Sequence, residues 1–97
     1  MKRHRVMNEW YDDSSYRRGS DADPISFRFL TKSLEISVHR HIDHTPDTWL
    51  VSCRQIEMSR VVLDNTDAHL ARGEATDKVT DRLELMLLEL AETRRRA

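Results

Sequence analysis

From Ile25 onward the chain alternates. Ile25, Phe27 and Phe29 are separated by Ser26 and Arg28. That is the period of two of a half-buried strand, whose successive side chains point to opposite faces. Leu34, Ile36 and Val38 alternate in the same way with Glu35, Ser37 and His39 and predict a second strand, with Thr31-Lys32-Ser33 as the turn between the two. The turn-forming run Asp43-His44-Thr45-Pro46-Asp47 then precedes residues 48–53, which are rich in strand formers and lie at hairpin distance. The apolar phase slips at Arg54-Gln55, because Ile56 and Met58 are out of step with Trp49, Val51 and Cys53. A bulge or short turn there reconciles the two phases. Residues 60–63 supply a further strand, so the pattern predicts an antiparallel meander of three to four strands.

After Asp64-Asn65 the period changes. Asn65 or Thr66 is placed to cap a first helix through Ala71, with Gly73 as its natural end. From Thr76 or Asp77 a second, stronger helix is expected. Val79, Leu83, Met86, Leu87 and Leu90 recur at helical spacing as one stripe. Asp77 and Asp81 near its start and Arg94, Arg95 and Arg96 after its end suit the helix dipole. The predicted fold class is therefore α+β, a meander covered on one face by a C-terminal helix. Leu85 and Leu88 fall off the stripe, three residues apart, and are expected to form a partner-binding patch.

Composition divides the chain in two. Residues 1–24 hold few aliphatics and many charges, which predicts a flexible, disordered tail before a single small domain spanning 25–97. Trp10, Tyr11 and Tyr16 within that tail suit a segment that orders on binding, to its own sheet or to another molecule. A unit of this size gains only about 3–5 kcal/mol from one core. Cys53, the only cysteine, excludes a disulfide within the chain. A subunit interface is the expected supplement, and a homodimer its commonest form. The net charge of −1 argues against bulk attraction to nucleic acid or to a membrane surface. Arg94, Arg95 and Arg96 still offer phosphate contacts, so nucleic-acid binding stands as the alternative reading. With no apolar run long enough for a span and one free thiol, the chain is expected to be soluble and cytoplasmic.

One stretch carries the chemistry of a metal site: HRHIDH, with His39, His41, Asp43 and His44. Histidines two apart on a strand share a face and can share a metal. The stretch resembles the H-x-H-x-D-H signature of the metallo-β-lactamase superfamily at all four specified positions. That resemblance implies a much larger four-layer sandwich and a binuclear site with further ligands from far downstream. Here 53 residues follow His44, with His69 the only further histidine among them, too little to complete a water-activating site. The expectation is a solvated strand edge, with a metal of the His/carboxylate type as a second alternative. Alternating apolar neighbours make Cys53 an expected inert thiol rather than a nucleophile. Two glycines leave no glycine-rich phosphate loop. No catalytic residue and no cofactor are predicted. What remains is a small non-enzymatic protein–protein interaction module, of the size of an inhibitor, adaptor or accessory factor of a bacterial or phage system.

Overall fold

A computed structural model describes residues 7–14, 25–40 and 47–96. The elements are β1 (Trp10–Asp12), β2 (Ser26–Leu30), β3 (Glu35–His39), β4 (Leu50–Cys53), β5 (Met58–Val62) and α1 (Ala68–Arg96). The strands form one antiparallel sheet in chain order, β1-β2-β3-β4-β5, and α1 packs on one face. The α+β class is as the pattern predicts. The strand count is five among the described residues rather than three to four.

The added strand, β1, comes from the stretch whose composition reads as tail. It holds through pairing rather than through its own pattern. Trp10 lies opposite Phe29 with the rings edge to face at 5.4 Å. Ser14, buried, accepts hydrogen bonds from the N–H groups of Ile25 (2.8 Å) and Ser26 (2.9 Å), and its hydroxyl donates to the Ser26 carbonyl (3.2 Å). Tyr16 and the other residues of 1–6 and 15–24 lie outside the described residues.

Alternation sorts the sheet into two faces. Phe27, Val38, Val51 and Val61 are cross-strand neighbours on the covered face, beside the pair Phe29 and Ile36. Against them α1 sets Ala71, Ala75 and Val79, all buried and each four residues after the last. Small side chains let a helix backbone approach closely, and the bulk of the same cluster comes from Trp49 and Phe27. Trp49 is fully buried, and its indole N–H donates to the Thr66 carbonyl at 2.8 Å, which satisfies the one polar group of the ring. The phase slip at Arg54-Gln55 is a short 3-10 turn, Arg54–Ile56, closed by Glu57 in the left-handed region (φ 59°).

The helical half differs from expectation. One helix of 29 residues replaces two. Its first turn is capped by Asp67, whose carboxylate accepts the Leu70 N–H at 3.0 Å, and not by Asn65 or Thr66. Gly73 lies inside the helix instead of ending it. Its neighbours explain why. The Arg72 guanidinium stacks 4.2 Å from the Phe27 ring. The Glu74 carboxylate accepts the N–H groups of Asp64 and Asn65 and the Asn65 amide at 2.8–2.9 Å. Both contacts require helical geometry on either side of the glycine.

Candidate interaction surface

A helix of 29 residues is about 43 Å long at 1.5 Å per residue. Five strands about 4.8 Å apart make a sheet only about 19 Å across, and five-residue strands are about 17 Å long. The sheet therefore runs out long before the helix does. Full burial on α1 stops at Val79. Leu83 and Met86 still touch the core in part. Arg82 makes the last polar tie, donating from Nε to the Ile56 carbonyl at 3.0 Å and lying 3.8 Å from the Glu57 carboxylate.

Beyond that tie the helix carries leucines with nothing to cover them among the described residues. Leu85 is 46% exposed, Leu87 65%, Leu88 69% and Leu90 55%. One exposed leucine is unremarkable, but four within six residues leave apolar surface on two sides of the helix. Leu85 and Leu88 were expected on the surface, and they are there. Leu87 and Leu90 were expected in the covered stripe, and they are not. Periodicity identifies which positions share a helix face, but not whether the sheet extends far enough to meet it.

At 100° per residue these leucines fall on two faces. Leu83, Leu87 and Leu90 fall within an arc of about 60°, and Leu85 with Leu88 lies roughly 160° away. Near the end of the helix Glu92 pairs with Arg95 and, at 3.0 Å, with Arg96. Glu84 and Arg94 make no ion pair among the described residues.

The other predicted residues lie elsewhere. Trp10 packs on Phe29 on the covered side, where it also borders a cleft of about 650 Å³ with His69, Gly73 and Asp77. Tyr11 lies opposite Arg28 on the other face of the sheet. The middle of that face is polar, where Arg28 pairs with Asp13 at 2.9 Å and with Glu35 and Ser37 lies opposite Ser52, while Leu30 and Leu50 on the same face are buried. His39 belongs to the same face, between Ser26 and Leu50, as a half-buried strand residue. His41, Asp43 and His44 lie outside the described residues. No group of three or more metal-ligating side chains occurs among the described residues. Cys53 is fully buried, and burial pushes its thiol above the ordinary range. No helix among the described residues is long and apolar enough to cross a membrane. Comparison with family models, curated proteins and solved structures finds no match to this chain.

Proposed function

We propose that this protein is a non-enzymatic protein–protein interaction module that associates, as a homodimer, through the projecting end of α1. One observation carries the reading: Leu85, Leu87, Leu88 and Leu90 stand exposed beyond the last fully buried turn. Fully burying a leucine is worth about 1.5–3 kcal/mol, so each half-exposed one keeps about 1 kcal/mol to be gained on contact. The nucleic-acid alternative is weaker for a specific reason. Two of its three arginines, Arg95 and Arg96, are already paired with Glu92, which lowers their net attraction for phosphate.

The test is a double substitution that strikes both sides of the patch, Leu87→Glu with Leu88→Glu. Glutamate is nearly as good a helix former as leucine, so the substitutions do not themselves break the helix. Wild type is expected to sediment as a dimer at high micromolar concentration and the variant as a monomer that keeps its cooperative unfolding, losing far-UV circular dichroism only from the end of α1. A monomeric wild type under those conditions overturns the reading.

A further inference from the structure

Three features of the projecting helix fit together only when two copies are considered. The first is the face made by Leu83, Leu87 and Leu90. Its spacing of four and then three is that of a helix–helix seam. Leu83 is partly packed on the core while Leu87 and Leu90 are open, so the face starts at the sheet edge and runs outward.

The second feature is charge. At 100° per residue Arg94 continues this face at its outer end and Glu84 lies beside it, and neither has an ion-pair partner among the described residues. Ten residues apart, they are separated by about 15 Å on one helix and cannot meet. In an antiparallel pair with Leu87 facing Leu90 of the second copy, residue numbers opposite each other add to about 177. Glu84 then meets Arg94 of the second copy, and Arg94 meets its Glu84. A parallel pair would instead set Arg94, Arg95 and Arg96 against their own copies, six like charges at one end.

The third feature excludes the other side. Seating the copies on Leu85 and Leu88 antiparallel brings Asp81 against Glu92 in the seam, like charge on like. We propose that a second copy of this chain lies antiparallel on the Leu83–Leu87–Leu90 face of α1, closed at both ends by Glu84–Arg94 ion pairs between copies. This inference rests on the homodimer reading above and adds its face and direction.

Disulfide trapping in the full chain decides it. The native Cys53 is fully buried and stays out of the reaction. Mixed Leu83→Cys and Arg94→Cys chains are expected to form a disulfide between the two variants. Arg94→Cys alone is expected to form none, because its two copies are about 16 Å apart along the axis and a disulfide needs Cα atoms within about 7 Å. Glu84→Arg is expected to weaken the dimer several-fold, and Glu84→Arg with Arg94→Glu to restore it. An Arg94→Cys homodisulfide in a stable dimer overturns the direction and leaves the dimer reading standing. A dimer that traps neither disulfide and ignores Glu84→Arg overturns the face. A chain that is monomeric throughout overturns the homodimer reading itself.

Discussion

Replacing Gly73 by alanine is expected to stabilise the protein. A glycine inside a helix costs roughly 0.5–1 kcal/mol relative to alanine, because the unfolded chain loses more freedom on folding there. That gain is realised only where a methyl group fits. At Gly73 an added Cβ would meet nothing within 4 Å, and the residue is held in the helix by Arg72 on Phe27 and by Glu74 on the preceding loop. No cavity is closed and no contact is pushed aside, so the full propensity difference should appear. For a domain of this size 1 kcal/mol moves the thermal midpoint by about 4–8 °C, and the expected rise is therefore about 2–8 °C. The measurement is a thermal melt followed by circular dichroism at fixed protein concentration. It is best made on the Leu87→Glu, Leu88→Glu background, where association cannot move the midpoint. A urea melt should show a higher midpoint at unchanged slope. A lowered midpoint would refute the reasoning: alanine is unfavourable at a left-handed helix end, so a loss would mean that the helix stops at Gly73 after all.

Two further outcomes follow from side chains that the fold has placed. Glu74 is expected to be the strongest point in the connection between β5 and α1. Burial opposes its ionisation, but the donors from Asp64 and Asn65 and the Lys78 ammonium outweigh that and hold its carboxyl below the ordinary value of 4.5. A lowered folded pKa contributes stability that is present above the unfolded value and lost as pH falls through the folded one. Glu74→Ala should therefore cost about 2 kcal/mol at pH 7, with the gap to wild type closing below about pH 4.5; a gap that stays flat in urea melts down to pH 3 rules the clamp out. Cys53, fully buried with its thiol pushed up, should react with a thiol reagent in the native protein only as fast as the core opens. Prompt stoichiometric labelling at neutral pH would show that the core is not closed over it.

Much of the sheet was legible because period two is a local signal. The alternation is plainest in Glu35–His39, where Ile36 and Val38 are buried and their neighbours half-buried. β1 was not legible, for the opposite reason. Its three residues show no period, and what fixes them is the ring of Phe29 and the backbone around Ser26, which lie more than a dozen positions away in sequence. Gly73 misled for a related cause. A glycine near the end of a periodic stretch favours a helix stop, but tertiary contacts made by its neighbours outweigh a preference of about 1 kcal/mol. The candidate surface was half legible. Leu85 and Leu88 fell off the stripe and could be named from the wheel alone. Leu87 and Leu90 lie on the stripe, and their exposure depends on the width of the sheet, a quantity set by how many strands pair and not by any residue of the helix.

The position of these leucines bears on what they are for. Were the end of α1 only a solvated extension, helix propensity would be served as well by glutamate, lysine or alanine, and none of these would leave apolar surface in water. Leucine at four of six positions beyond the sheet lies outside the domain's own core among the described residues. It does add contact area. The extension also has a need of its own. From Val79 to the end of α1 the helix has about five turns with little tertiary support, and helices sustained by propensity alone are marginal in water near that length. A neighbouring helix laid on Leu83, Leu87 and Leu90 would hold both extensions in register, so that association and the helicity of this end support each other. The same surface that seats a second copy would then order the segment that presents it, and separation of the copies would loosen the end of α1 while the sheet, Trp49 and the first half of the helix stayed folded.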